Sequence, residues 1–318
     1  MLPVSATPKP TIGIVTVLYN SNEVLEDFFL SLGRQRCDTF ALKLYVIDNS
    51  SNDSGSIICR AKAAALGIPA EVVFNNANLG VAKGNNQGIE LALADGCSHV
   101  LLSNNDLEFA GGVIEGLLRR LQAGDASAVT PKIHYFEPDQ CIWFVEGTFN
   151  LWTMQVHHLG IGQKDAGQFD GIRRIDYAPT CFMLFKAEVF EQLGRMDEQY
   201  FVYYDDTDFL WRMKRAGKHV EVEPGCLVRH KVSSSTGGDL SPFSLYYSNR
   251  NRIYFLRKHL RGLQKVVALC YVLCTRLLQY VLLPGPSAAR LKQGVRDGLR
   301  MTPSRSDQVT GRSAPTGR

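Results

Sequence analysis

Strand-like runs and helix-period segments alternate through the first 130 residues, and this alternation constrains the fold more than any other feature of the sequence. Residues 12–18 (IGIVTVL) are uncharged and β-rich, as in a strand buried on both faces. Ser21 and Asn22 follow as candidate helix caps, and Val24, Leu25, Phe28, Phe29 and Leu32 recur at helical spacing. The unit then repeats: strand 42–47, polar loop 48–56, helix 57–66; strand 71–74, loop 75–80, helix 83–95; strand 99–102, then Ser103-Asn104-Asn105-Asp106. This order predicts a parallel, doubly wound α/β sheet. Ligands bind such sheets beyond the carboxyl ends of the strands. The polar loops at 19–22, 48–54, 75–80 and 103–106 all fall at those ends, so a site is expected there.

Beyond residue 130 the pattern loosens. Residues 130–200 are aromatic-rich, with Trp143, Phe144, Phe149 and Trp152, and are expected to form short strands or loops that build an acceptor surface. Helical spacing returns at 205–216, closed by Gly217, followed by strand-like pieces at 219–222 and 226–230. The last third reads as three helices, 242–259, 262–283 and 288–300, and the tail after Pro303 is too polar to join a core.

A chain of 318 residues that is 45% hydrophobic and 21% charged suits one large α/β unit or two domains and excludes a wholly disordered protein. Its net charge of +4 hides an asymmetry: residues 246–318 carry 14 Lys and Arg against two acids, leaving the rest at −8. A basic tail on an acidic body points to an anionic partner, either nucleic acid or a negatively charged membrane. No recognition-helix motif accompanies it, so nucleic acid is not expected. The eight cysteines are scattered without metal-site spacing and are expected as reduced, buried thiols of a cytoplasmic protein. The first residues lack the basic-then-apolar pattern of a signal peptide.

Three places carry chemistry. Asp106 ends a strand, where its carboxylate either closes an Asx turn or holds a divalent ion against phosphate oxygens. Asp205-Asp206-Thr207-Asp208 sets three carboxylates at a helix start. The helix dipole accounts for one or two of them; three so close repel one another, which a raised pKa or a bound cation would relieve, making one a candidate general base. His230 follows a β-like run and is either structural or a metal ligand beside Asp106. The glycine-rich stretch from Asn78 to Gly88 allows close backbone approach, and Lys83 within it suits a phosphate, but neither a P-loop nor a dinucleotide fingerprint is present.

Taken in order, VTVLYNS (15–21), VIDNSSNDSG (46–55), NNANLGVAKGNNQGI (75–89), LLSNNDLEF (101–109), RMDEQYFVYYDDTDFLWRMKRAGK (195–218) and VRHKVSSST (228–236) resemble the family-2 glycosyltransferases of the GT-A fold. YYSNRNRIYFLRKH (246–259) and RLKQGVRDGLR (290–300) also resemble C-terminal segments of the bacterial rhamnosyltransferase-like branch. The resemblance implies a catalytic domain over 1–240, split into a nucleotide-binding half (11–130) and an acceptor half (131–240), a helical, basic extension over 241–302 and a disordered tail over 303–318. It implies that Thr16, Tyr19 and Asn20 lie along the nucleotide and that Asp48 accepts a hydrogen bond from the pyrimidine ring. Asn78, Gly80, Lys83 and Asn85 would line the ribose or diphosphate, with Asn105 also at the donor. Asp106 and His230 would hold Mg²⁺ or Mn²⁺, Asp106 ending a DxD-type motif whose first acid is here Asn104. Asp206, with Asp205 close behind, would be the base. Thr180-Cys181 stands where the family more often has a glycine-containing turn.

The implied reaction is an inverting transfer of a hexosyl unit, with rhamnose favoured, from a nucleoside-diphosphate sugar to a glycan or lipid-linked acceptor in cell-surface polysaccharide synthesis. The competing reading is a catalytically silent sugar-nucleotide or lipid-binding module on the same fold. Residues 266–283 are apolar but interrupted, and the polar positions Lys258, Arg261, Lys265, Thr275, Arg276 and Gln279 recur at roughly helical spacing. This predicts a helix in the membrane interface with a basic face towards anionic headgroups, placing the protein on the inner face of the plasma membrane. A core helix or the seam of a homo-oligomer fits the same pattern.

Overall fold

The computed structural model describes residues 9–35, 38–171, 173–232 and 240–304. The first residues, Cys37, the polar stretch 233–238 and most of the expected disordered tail lie outside the described residues.

The expected βα units are present: β1 (Thr11–Leu18), α1 (Leu25–Gly33), β2 (Ala41–Asp48), α2 (Ser54–Leu66), β3 (Ala70–Phe74), α3 (Val81–Ala94) and β4 (His99–Ser103). Strands β3, β2, β1 and β4 lie side by side and parallel, with Leu18 opposite Asp48 and Val15 opposite Leu102. Side chains alternate across β1. Ile12 and Ile14 face the layer of α1 and α2, whereas Val15 faces α3. Helix α3 lies directly on β1 because Gly84 and Gly88 clear its inner face: a Cβ at Gly88 would stand 2.3 Å from Val15 Cγ1.

The second half completes the sheet with β5 (Leu107–Phe109), α4 (Val113–Ala123), β6 (Ala128–Tyr135), β7 (Ile142–Phe144), a separate hairpin of β8 (Glu146–Phe149) and β9 (Val156–Leu159), then β10 (Arg173–Ile175), β11 (Phe182–Lys186), α5 (Glu188–Leu193), α6 (Asp205–Arg215) and β12 (Val220–His230). Strand β11 runs antiparallel between β4 and β6, so the sheet is mixed beyond β4. The pieces expected at 219–222 and 226–230 are one strand, β12, whose pairing with β6 slips at a bulge between Glu223 and Leu227.

Helices α7 (Pro242–His259), α8 (Gly262–Leu282) and α9 (Gly285–Arg300) follow. They share the main core rather than forming a core of their own, since Ile253, Tyr254, Phe255, Leu256, Ala268 and Val272 are fully buried in it. The expected basic outer face of the apolar helix is corrected. Lys258 belongs to α7 and is buried against Asp197 and Asp208, and Arg276 turns inward toward Tyr204 and Arg252. The cysteine expectation holds for Cys59, Cys97, Cys181 and Cys226, which are free and buried; Cys270 and Cys274 are free but exposed on α8.

Candidate active site

The loops after β1, β2, β3 and β4 meet at one edge of the sheet, as the parallel register requires. Asparagine and serine side chains tie them together. Asn105 Nδ2 donates to Ser21 Oγ (3.0 Å) and to the Val17 carbonyl (3.2 Å), the Asn20 N–H donates to Ser50 Oγ (2.9 Å), and Asn49 Nδ2 donates to the Gly80 carbonyl (3.1 Å). These bonds satisfy backbone and side-chain groups that would otherwise leave the strand ends loose.

The residues assigned to the nucleotide divide into two layers. Tyr19, Asn20, Asn78 and Lys83 are exposed at the rim, with Asn78 Oδ1 accepting from the Gly80 N–H. Thr16 and Asp48 are wholly buried, and Asn85 lies under Met196. Asp48, expected at a pyrimidine ring, bonds groups of its own loop. Its Oδ1 accepts from the Ser50 N–H (3.0 Å), and its Oδ2 accepts from the Ser56 N–H (3.0 Å) and hydroxyl (2.7 Å). Asp48 therefore holds the β2–α2 loop in shape from beneath.

Asp106 and His230 come together because β5 pairs antiparallel with the end of β12, with His230 opposite Leu107. His230 Nε2 stands 3.3 Å from Asp106 Oδ2, and both side chains are nearly buried. His230 Nδ1 is buried without a hydrogen-bond partner among the described residues, and the ring packs edge-on against Trp143 at 4.5 Å. A carboxylate oxygen and an imidazole nitrogen at this spacing fit two ligands of one divalent cation, which stand roughly 3 Å apart on a shared ion.

A second cluster, Asp125, His219 and Glu221, also has ligand-like spacing. It flanks the opposite end of β12 from His230, on the order of 30 Å away along the strand. Arg174 and Arg120 already pair with its carboxylates.

The acids of α6 are delivered to the nucleotide edge by the segment before the helix. Gly80 sits at φ +83°, and a Cβ there would lie 2.4 Å from the Phe201 carbonyl oxygen, which accepts from the Val81 N–H (2.7 Å). Asn86 bonds both the carbonyl and the N–H of Met196. Tyr203 and Tyr204 then both adopt left-handed backbone, at φ +62° and +68°. Two adjacent tyrosines in that region are strained, and Asn251 of α7 holds them by donating to the Val202 (2.7 Å) and Tyr203 (2.9 Å) carbonyls.

The three carboxylates that follow differ. Asp208 is fully buried, with Arg212 Nε at 3.0 Å, Lys258 Nζ at 2.9 Å and His259 Nε2 at 2.6 Å. These partners overcome its burial and hold it well below the usual carboxylate range. Asp206 is half-buried. Its Oδ2 accepts from the Tyr177 hydroxyl (2.7 Å), and its Oδ1 accepts from the Thr207 N–H (2.5 Å) and hydroxyl (3.1 Å). Burial raises both Asp205 and Asp206; Asp205, which also feels the Asp206 charge, is pushed up to about 8.

Cys181 links the two acidic groups. Its carbonyl accepts from the Asn104 N–H (2.7 Å), and its buried thiol is pushed well up by desolvation and then by the charges of Asp106 and Asp206. Asp106 and Asp206 thus both lie near one residue, just before β11. Tyr177, Cys181 and Asn251 were not legible as site residues. The only cue was the Thr180-Cys181 departure, since the segment around Tyr177 and Cys181 lacks periodicity and Asn251 reads simply as part of a helix.

The sequence matches Glycosyl transferase family 2 over residues 13–194. The chain belongs to this family. It is 26% identical over 278 residues to N-acetylglucosaminyl-diphospho-decaprenol L-rhamnosyltransferase of Mycobacterium tuberculosis, covering 77% of this chain and 84% of that protein. It is 24% identical over 262 residues to dTDP-rhamnosyl transferase RfbF of Shigella flexneri, covering 77% and 79%. These matches place it in the rhamnosyltransferase-like branch. Low-salt glycan biosynthesis hexosyltransferase Agl10 of Haloferax volcanii is 26% identical over 67% of this chain, and the chain spans 64% of that protein. Among solved structures, GalNAc-T7 with UDP, GalNAc and Mn²⁺ superposes with a TM-score of 0.65 at 14% identity, covering 92% of this chain and 55% of that one. S. aureus TarS 1–349 with UDP superposes with a TM-score of 0.58 at 14% identity, covering 94% and 83%. The family-2 chain therefore has the GT-A fold.

Proposed function

We propose that this protein is an inverting, metal-assisted glycosyltransferase that moves a hexosyl or deoxyhexosyl unit from a nucleoside-diphosphate sugar to a hydroxyl of a lipid-linked glycan. The observation that carries the reading is that the Asp106–His230 pair and Asp206 both come close to Cys181, at the edge where the loops after β1 to β4 end. The names of the mycobacterial and Shigella relatives favour rhamnose as the sugar, and the former favours a polyprenyl diphosphate acceptor.

Asp106 and His230 would hold a divalent cation, which when bound neutralises charge on a departing nucleoside diphosphate. The protein's own groups arrange the rest. Three hydrogen-bond donors from Tyr177 and Thr207 stabilise negative charge on Asp206, whereas Asp205 keeps a proton to about pH 8. Asp206 is therefore the member of the pair whose ionised form its own partners stabilise, and the one placed to accept a proton. The acceptor oxygen forms a bond to the anomeric carbon, the bond from that carbon to the diphosphate oxygen breaks with its electron pair, and the hydroxyl proton passes to Asp206. One displacement inverts the anomeric centre.

A thermal-shift screen of nucleotide sugars with Mg²⁺ and with Mn²⁺ tests the proposal. One donor family, with a deoxythymidine diphosphate sugar favoured, should raise the melting temperature only when the cation is present. Indifference to every nucleotide sugar under both metals would contradict it.

A further inference from the structure

Helix α8 has its two sides reversed relative to an ordinary surface helix. Lys265, Thr275, Arg276 and Gln279 lie on the side facing the protein, partly covered, along with the fully buried Ala268 and Val272. The opposite side is apolar and open: Leu263, Val266, Leu277, Leu278 and Val281 are between 56% and 75% exposed. The helix has 21 residues, so this stripe runs for roughly 30 Å. Soluble monomers rarely leave an apolar surface of that extent uncovered.

The surface continues onto the β8–β9 hairpin. Leu151 and Trp152 are exposed at its tip. Gln264 of α8 donates to the Leu151 carbonyl, and the Tyr271 hydroxyl donates to Gln155 Oε1 (3.1 Å). The same hairpin reaches the catalytic acids. Gly147 bonds the Tyr177 N–H through its carbonyl (3.1 Å), and the His158 ring lies 5.7 Å from the Tyr177 ring whose hydroxyl holds Asp206.

From this we infer that the outer face of α8, together with Leu151 and Trp152, is a docking surface for an anionic lipid bilayer, lying in the interface and not crossing it. Charge complementarity selects that occupant. Arg261 is exposed where α8 begins, and the adjoining α9 exposes Arg290, Lys292, Arg296 and Arg300, within a region of 14 basic and two acidic residues. Crossing would strip Ala268 and Val272 from the core and pull Arg276 from its place by Tyr204. The substrate arm of this inference rests on the proposed transferase activity: a lipid-linked acceptor would keep its chain in the bilayer while its sugar reached Asp206 along the hairpin. Lipid binding itself is independent of that reading.

Flotation of the full chain tests the surface, using vesicles of phosphatidylglycerol with phosphatidylethanolamine against vesicles of phosphatidylcholine, at low and high salt. The protein should float with the anionic vesicles, less so at high salt, and alkaline carbonate should release it. The double variant Leu277→Glu/Leu278→Glu should bind at least about tenfold more weakly. Its melting temperature should still respond to nucleotide as the unmodified chain does, which guards against misfolding. Transfer to a vesicle-embedded acceptor should fall in the variant while transfer to a water-soluble acceptor holds. If neither protein transfers sugar but only the unmodified chain floats, the surface stands and the transferase reading fails. Equal flotation of the variant, retention through alkaline carbonate, or a lipid-free dimer that the same substitutions dissociate would overturn the inference.

Discussion

At the first turn of α6, Asp208 is met by Arg212, Lys258 and His259, whereas Asp206, two residues earlier, is met by the hydroxyls of Tyr177 and Thr207. All three acids of the turn are removed from water to some degree, but their carboxyl groups move in opposite directions. Asp208 is held low by its cationic partners, whereas burial raises Asp205 and Asp206, and the charge of Asp206 raises Asp205 further. A buried carboxylate with full compensation fixes architecture, here the docking of α7 onto α6. A pair left short of counter-charge stores the proton affinity that a base needs. The segment that looks like one acidic patch in the sequence is thus two devices with different partners.

The largest effect should come from the under-compensated side. Asp206→Asn should lower the rate of sugar transfer by about two to four decades with little change in melting temperature, measured by initial rates and calorimetry. Asp208→Asn should do the reverse. It leaves Lys258, Arg212 and His259 buried around a neutral amide and should cost about 3–5 kcal/mol of stability in denaturant unfolding. If Asp208→Asn were as stable as the parent but inactive, the division drawn between the two sides would be wrong.

The pH dependence sharpens the same contrast with a smaller effect. Asp205 titrates at about 8 in the folded chain against 3.8 unfolded, so between those values the native state holds a proton that the unfolded chain has lost. Stability from this group is greatest at the acidic end of that window and declines as pH rises through it. Asp208, whose value is depressed, contributes with the opposite sign: its stabilisation is present above 3.8 and lost on acidification. Asp205→Asn should therefore flatten the fall in melting temperature between about pH 4 and 8. An unchanged slope would remove Asp205 as the proton-holding member of the pair.

What the sequence revealed depended on whether the deciding contact was local. Strand and helix periods are local, so the βα units from β1 to β4 and the edge where their loops gather could be read from residues 11–106. The Asp106–His230 pair was readable through the matching order of segments, because strand pairing brings together two short motifs. The loop-holding contacts of Asp48 were not legible because a carboxylate at a strand end can face a ligand or its own loop, and only the positions of Ser50 and Ser56 reveal the latter. Of the partners of Asp208 only Arg212 is local, one helical turn on; Lys258 and His259 lie some fifty residues downstream on α7, so the sequence near residue 208 shows little of what sets it apart from Asp206. Helix α8 shows a related ambiguity. Its polar and apolar stripes were visible at helical spacing, but which stripe faces the core depends on what packs against it.

The central claim is that one cleft holds the cation side and the base side of a single donor, and titration of a nucleoside diphosphate with and without Mn²⁺ tests it most directly. The account predicts that Asp106→Ala abolishes the metal-dependent part of the affinity, a loss of about tenfold or more, whereas Asp206→Asn binds as the unmodified chain does while transferring sugar about two to four decades more slowly. Nucleotide binding that ignores Asp106, or that collapses with Asp206→Asn in a stably folded protein, would contradict it.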